Sequence, residues 1–107
     1  WTTSYPTISL IPMMQLIDQV NNADMGNSTV PALFYFSPDD KVVDPKKTEI
    51  FIARWRGPTS TERVNGGDIE DELNHLITGQ VASPSQVIRA ADTVIRWHRS
   101  LSYKAAQ

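Results

Sequence analysis

Hydrophobic and polar positions along the chain first predict a helix and then a buried strand. Apolar residues recur at helical spacing between positions 10 and 20, and Pro12 is compatible with this because it lies in the first turn. The helix is predicted to end near Asn22. Residues 31–36 form a short unbroken apolar run that starts at Pro31 and ends at a polar turn, which predicts a strand. The apolar positions of the helix are Leu10, Met13, Met14, Ile17 and Val20.

The pattern next predicts a second helix. Asp44 followed by Pro45 is typical of an N-cap with proline at the first helical position. The helix is predicted to run to about Trp55, where a Gly-Pro pair follows, and to bury Ile50 and Phe51.

A second strand and a third helix complete the predicted elements. Residues 59–64 alternate and are β-prone, and a strand–helix–strand unit with a single crossover predicts parallel pairing. The Ser-Pro-Ser-Gln sequence from Ser83 to Gln86 predicts a capping box at the start of the last helix. The predicted apolar face of that helix comprises Val87, Ile88, Ala91, Val94, Ile95 and Leu101.

These elements predict an α/β fold with a short parallel sheet flanked by helices. A chain of 107 residues is one domain at most, and we expect a single partial domain over residues 1–107. Within it, residues 1–30 are predicted to form a connector and a helix. Residues 31–107 are predicted to form the strand–helix–strand–loop–helix part. The two internal tryptophans, Trp55 and Trp97, and the methionine pair are expected to lie in the core.

Composition and charge exclude several classes of function. A net charge of −2 argues against a nucleic-acid partner held through phosphate contacts. The absence of cysteine excludes disulfides and thiolate metal sites, and it favours a reducing, cytoplasmic location. The N-terminal stretch is uncharged, but polar residues and prolines interrupt it, so neither a signal peptide nor a membrane span is predicted. No motif for a metal ion or a cofactor is present.

An acid and a histidine are the candidate chemical groups. Asp40 follows the first predicted strand, and functional groups collect at the carboxyl ends of strands in open α/β sheets. His75 lies on the loop after the second strand, whereas His98 is predicted to be a surface residue of the last helix. The simpler interpretation of the Ser-Pro-Asp-Asp sequence is a turn without chemistry. The acidic residues before His75 are predicted to be a solvated part of the loop; they are Asp68, Glu70, Asp71 and Glu72.

The chain contains no Gly-x-Ser-x-Gly sequence, which a nucleophile elbow requires. Ser28 is the nearest imitation, but it lacks the second glycine and precedes a strand instead of following one. An acid followed by a histidine is the second half of the Ser…Asp…His order of α/β-hydrolases. The sequence therefore predicts the acid and the base of a catalytic triad, without the serine nucleophile.

Over most of its length, from Leu10 to Leu101, the chain resembles the C-terminal segment of α/β-hydrolase-fold serine hydrolases of the carboxylesterase and lysophospholipase-like kind. Residues 30–45 are similar to the acid-bearing strand and turn of that family, and residues 74–79 are similar to its histidine loop. The segment that begins at Ser83 is similar to its closing helix. The resemblance implies the last βαβα part of a larger sheet.

That family acts on small-molecule esters, and its serine and oxyanion donors lie upstream of the segment that this chain resembles. The resemblance implies that Asp40 orients His75 and that His75 moves the proton of the serine. It also implies that the isolated chain is inactive.

Two alternatives remain open on the sequence. The chain could be a small α/β binding or interaction domain in which Asp40 and His75 are incidental, or a half-hydrolase that completes a partner chain. A hydrogen bond between Asp40 and His75 would favour the hydrolase interpretation. In the parental fold the first strand would have a neighbour on each side, and in this chain only the second strand is available, so the fragment interpretation predicts self-association through an exposed strand edge.

Overall fold

The computed structural model describes residues 4–24 and 28–105. A 3₁₀ turn precedes the first helix, and two further 3₁₀ turns, Gly66–Asp68 and Pro84–Gln86, follow the second strand. Helices and strands both occur, so the predicted α/β composition is confirmed. The elements are α1 (Ile11–Asn22), β1 (Ala32–Phe36), α2 (Pro45–Arg54), β2 (Thr59–Arg63) and α3 (Val87–Ala105).

The two strands form a parallel sheet, with α2 as the crossover between them. Ala32 pairs with Thr59 at one end of the sheet and Phe36 pairs with Arg63 at the other. Parallel strands need a connection of a dozen or more residues, and a helix usually supplies it. The predicted strand–helix–strand unit is therefore confirmed, with each strand one residue shorter than expected.

The helix α2 packs on one face of the sheet. The ring of Phe34 lies 6.2 Å from the ring of Phe51 and 6.1 Å from that of Trp55, in edge-to-face contacts. Arg63 of β2 forms a bidentate ion pair with Glu49 of α2, at 2.7 and 2.8 Å. Successive side chains of a strand point to opposite faces. Phe34 and its pairing partner Thr61 therefore lie on the face of the sheet that α2 covers.

The helix α3 packs on the opposite face. Glu62 of β2 pairs with Tyr35 of β1, and its carboxylate accepts a hydrogen bond from Arg89 of α3 at 2.7 Å. The chain thus forms a βαβα unit in which one helix covers each face of the sheet. This arrangement leaves the carboxyl ends of both strands open to the loops that follow them.

Of two predictions about α2, one is confirmed and one is wrong. The predicted N-cap is confirmed, because the Asp44 carboxylate accepts the Lys46 amide at 3.0 Å. The predicted burial of Ile50 is wrong, since this side chain is 59% exposed. Phe51 and Trp55 lie four residues apart and share the face that meets β1, whereas Ile50 lies about 100° away around the helix.

The predicted capping box at the start of α3 is wrong. The Ser83 hydroxyl donates to the carbonyl of Leu76 at 2.6 Å, and the Gln86 amide donates to the carbonyl of Asp68 at 2.7 Å. Both side chains therefore bind the preceding loop instead of capping each other. A carboxylate from the preceding loop binds a backbone amide there instead, because Glu70 accepts the Ser85 amide at 3.0 Å.

The predicted apolar face of α3 is mostly exposed, since Val87 and Leu101 are partly buried but Ile88, Ala91, Val94 and Ile95 are exposed. The side that meets the sheet carries Gln86 and Thr93, which are buried, and Trp97, which is partly buried. Ile88 lies on the opposite side of the helix and is 75% exposed, and Ile95 is about half exposed. The polar contacts of Gln86 and Arg89 set this orientation, so the most apolar stripe of α3 faces outward.

The packed core is small among the described residues. Val64 and Ile69 are its buried apolar members, and α1 has no buried residue. Trp55 and Trp97 are partly buried, but Met13 and Met14 are each more than half exposed, so their expected core position is wrong. The Cα radius of gyration is 16.4 Å, against roughly 13 Å for a compact chain of this length.

None of the helices in the described segments combines the length and the hydrophobicity that a membrane crossing requires.

Candidate active site

The turn after β1 holds Asp40 in a defined position. The buried Ser37 hydroxyl accepts the Asp39 amide at 3.1 Å, and the Ser37 carbonyl accepts the Asp40 amide at 3.3 Å. One carboxylate oxygen of Asp40, Oδ1, accepts the amides of Val42 and Val43 at 2.8 and 2.9 Å. These two bonds orient the carboxylate and leave Oδ2 for another donor.

That donor is His75. Its ring nitrogen Nδ1 lies 2.9 Å from Asp40 Oδ2, so the predicted contact between the two side chains is confirmed. The Asp40 side chain is 13% exposed and the His75 side chain 38%. The acid is therefore enclosed while the imidazole stays accessible.

Electrostatics favour the ionised form of Asp40. Burial alone would raise the pKa of Asp40, but hydrogen bonds from His75, Val43 and Val42 and the charge of His75 together lower it. An ionised carboxylate can only accept hydrogen bonds, so Nδ1 of His75 carries the proton. In the neutral imidazole the lone pair then lies on Nε2. No described residue forms a hydrogen bond with Nε2.

The loop before His75 is organised by Asp71. Its carboxylate accepts the backbone amides of Leu73, His75 and Leu76 at 3.3, 3.0 and 2.8 Å. The amide hydrogen bonds from Leu76 and His75 hold the pKa of Asp71 below its usual value. Asp71 is therefore a partly buried structural residue of the loop, whereas the other acidic residues of the predicted solvated loop, Asp68, Glu70 and Glu72, are exposed as expected.

Ser83 and Asn74 complete the support of this loop. Ser83 Oγ donates to the carbonyl of Leu76 and accepts the amide of Asp71 at 3.4 Å, so one buried hydroxyl holds both sides of the histidine. Asn74 has φ 53°, in the left-handed region that asparagine tolerates better than most residues. The surrounding carbonyls favour the orientation of its buried carboxamide in which the nitrogen donates to Gly66 and Asp71, at 3.2 and 3.1 Å.

Three further contacts join the acid turn to the histidine loop. Asp39 Oδ2 accepts the Gly66 amide at 2.8 Å, and the Lys41 amide donates to the Leu73 carbonyl at 2.9 Å. The Lys41 ammonium also donates to the Glu72 carbonyl at 3.0 Å. The neighbours of Asp40 on both sides therefore bind the loop that carries His75.

The other candidate groups lie elsewhere. Ser28 precedes β1 and Asp40 follows it, so the strand separates them and no described contact joins Ser28 to His75. His98 is exposed on α3, as predicted. Among the described residues, no set of three or more His, Cys, Asp or Glu side chains is placed to hold a metal ion.

Surface depressions lie away from the pair. One polar cleft lies between β2 and α3 and is lined in part by Ser60, Thr93 and Trp97. A second groove lies against α2 and is lined in part by Ile50 and Phe51. Neither is lined by Asp40 or His75, so these depressions form no pocket over the pair.

Comparison with known proteins gives no match, whether with protein-family models, with curated proteins or with solved structures. The geometry of Asp40, His75 and the loop around them is therefore the feature that points to a function.

Proposed function

We propose that this chain is part of a serine hydrolase of the α/β-hydrolase fold and supplies the acid and the base of its triad. One observation carries the proposal: Asp40 binds Nδ1 of His75 while Nε2 remains open. A triad requires this arrangement, because the acid must fix the tautomer that leaves Nε2 free to take the proton of the serine.

The position of the pair in the fold gives further support. Asp40 follows β1 and His75 follows its parallel neighbour β2, so both groups lie beyond the carboxyl ends of the strands. The acid precedes the histidine, and a closing helix follows, as the resemblance in the sequence implies. Ester hydrolysis is the reaction that this resemblance favours.

The mechanism assigned to the described residues is limited to proton transfer. Asp40 holds the imidazole of His75 in one orientation and stabilises the imidazolium after the proton has been taken. His75 Nε2 accepts the proton of a serine hydroxyl and returns it to the leaving group. The serine and the oxyanion donors belong to the part of the enzyme that the resemblance places upstream.

A chimera tests this proposal. The C-terminal segment of a carboxylesterase of this fold, from its acid-bearing strand onward, is replaced by residues 30–102 of this chain, and hydrolysis of a p-nitrophenyl ester is measured. Loss of the base should lower kcat by a factor on the order of 10⁶ and loss of the acid by on the order of 10⁴, as in other triad hydrolases.

Three variants of the chimera give the comparison. His75→Ala and Asp40→Ala should abolish most of the activity, and His98→Ala should leave it unchanged because His98 is exposed on α3 and forms no described contact with Asp40 or His75. A folded chimera whose activity survives His75→Ala would contradict the proposal. That result would favour the alternative of a binding or interaction domain.

A further inference from the structure

The strand β1 has one paired edge and one open edge. At the start of the strand the Ala32 amide donates to the Pro58 carbonyl at 2.9 Å. Alternate residues of a parallel strand bond to the same neighbour, so the even-numbered residues of β1 face β2. The backbone N–H and C=O groups of Leu33 and Tyr35 therefore point to the other side, where the described residues provide no strand.

The outer edges of the two strands differ in character. The sequence of β2 is Thr-Ser-Thr-Glu-Arg, a polar and charged strand of the kind that natural proteins place at an edge. The sequence of β1 is Ala-Leu-Phe-Tyr-Phe, which is typical of a strand with neighbours on both sides. The open edge of β1 is therefore the edge that can pair with another strand.

The chain exposes more surface than a compact protein of its mass, and α1, which has no buried residue, contributes to this excess. The chain exposes 8190 Å², whereas a compact protein of 12.0 kDa exposes roughly 6,000 Å². The excess of roughly 2,000 Å² exceeds the ~800 Å² that each partner buries in an interface of standard size. A two-stranded sheet is also marginally stable by itself, so pairing would stabilise it.

We propose that the open edge of β1 pairs with β1 of a second copy of this chain. The two strands run antiparallel about a twofold axis at Phe34, and the two sheets join into one. Leu33 then lies opposite Tyr35 of the second copy, and the two residues exchange backbone hydrogen bonds in both directions. A twofold axis makes such an edge complementary to itself. In the proposed hydrolase an upstream strand of the larger sheet would occupy this edge, so the pairing is proposed for residues 1–107 by themselves, and its test is independent of the test of the hydrolase function.

Sedimentation equilibrium of the full chain at micromolar concentrations tests the proposal, with two variants at one position. Leu33→Pro removes an N–H of the open edge and leaves the β1–β2 ladder intact, because the Leu33 amide points away from β2. Leu33→Ala loses the leucine side chain and keeps the N–H. Circular dichroism establishes whether each variant retains its secondary structure.

The wild-type chain and Leu33→Ala are expected to be dimers, and Leu33→Pro should raise the dissociation constant roughly tenfold or more. Equal dissociation constants for a folded Leu33→Pro and Leu33→Ala would overturn the proposal, and so would a monomeric wild-type chain.

Amide hydrogen exchange of the wild-type chain keeps the test decisive if Leu33→Pro does not fold. The Leu33 and Tyr35 amides should become protected as the concentration rises and the dimer forms. A dimer in which both amides exchange rapidly would place the interface elsewhere and overturn the proposal. A monomer in which they are protected would show that another segment of the same chain covers the edge, which also overturns it.

Discussion

The two carboxylate oxygens of Asp40 have different partners. Oδ1 accepts the backbone amides of Val42 and Val43, and Oδ2 faces His75. The backbone amides thus determine which carboxylate oxygen forms the hydrogen bond with the imidazole. Nε2 of His75 has no hydrogen-bond partner among the described residues. The ring of His75 is therefore oriented by a single bond, from Nδ1 to Oδ2 of Asp40.

Substitution of Asp40 by asparagine is expected to reverse the tautomer of His75. The two backbone amides would retain the carboxamide oxygen, so the NH₂ group would take the place of Oδ2 and donate to Nδ1. The proton of the neutral ring would then move to Nε2. Nitrogen-15 NMR of the imidazole above its titration range measures this directly.

The control for this prediction is Asp39→Asn, in the same turn. Asp39 binds the Gly66 amide and not the imidazole, so its substitution should leave His75 protonated at Nδ1. A wild-type ring protonated at Nε2 would contradict both the prediction and the proposed role of Asp40.

At the scale of elements, the histidine loop is held by side chains of the turn that leads into α3. Ser83 binds Leu76, and Gln86 binds Asp68, so the start of α3 supports the loop. Glu70 in turn accepts the Ser85 amide at the first turn leading into α3. The loop and the helix therefore stabilise each other, and a change in one should affect the other.

The Gly66→Ala substitution tests how tightly this loop is packed. An added Cβ would lie 2.7 to 3.0 Å from the atoms of the Asn74 carboxamide, so the buried Asn74 side chain would have to shift. We expect a loss of about 1–3 kcal/mol in the free energy of unfolding, as for other overpacked sites. Urea denaturation measures this loss.

Gly67→Ala provides the matched control, because an added Cβ there meets no atom within 4 Å. It should change the free energy of unfolding by no more than about 0.5 kcal/mol. Equal losses for the two alanine variants would show that the contact with Asn74 does not limit the loop.

The sequence predicted the elements better than their contacts. Local signals such as the Asp44-Pro45 cap and the apolar run of β1 were sufficient to place α2 and the strands. The capping box before α3 failed because Ser83 and Gln86 form hydrogen bonds with a loop that local pattern does not describe.

In the candidate site too, one feature was predicted from the sequence and another was not. The contact between Asp40 and His75 followed from their order and from the two parallel strands. The role of Asp71 did not follow, because an acidic residue in a polar loop is usually solvated. The available signal was the preference of aspartate for accepting backbone amides two or more residues further on.

At the scale of the whole molecule, few buried apolar contacts are present among the described residues, and polar contacts join the sheet, α3 and the histidine loop. Several of these contacts need ionised carboxylates. The pKa of Asp40 and the pKa of Asp71 are both lowered by hydrogen bonds made in the folded chain. Stability should therefore depend on pH on the acidic side.

The sign of this dependence follows from the direction of the shifts. A group whose folded pKa lies below its unfolded value, about 3.9 for aspartate, stabilises the fold above that value. The stabilisation is lost as the pH falls through the folded pKa. We expect the free energy of unfolding to decrease from about pH 4 downward, as measured by urea denaturation at a series of pH values.

Two variants identify the groups responsible. Asp40→Asn and Asp71→Asn should each reduce the acid-induced loss of stability, because the substituted position no longer titrates. Asp92→Asn, on the exposed side of α3, is the control and should leave the pH dependence unchanged. A wild-type free energy of unfolding that stays constant below pH 4 would contradict this prediction.

The bonds around His75 also have an entropic consequence. The Asp71 carboxylate, the Ser83 hydroxyl and the Asp40 carboxylate restrain the backbone and the ring of His75 before any nucleophile is present. Rotational freedom that a catalytic base would otherwise lose during the reaction is thus already lost on folding. Such prior restraint is the origin of high effective molarities in intramolecular reactions. A serine that reaches Nε2 would therefore meet a base whose orientation carries no further entropic penalty.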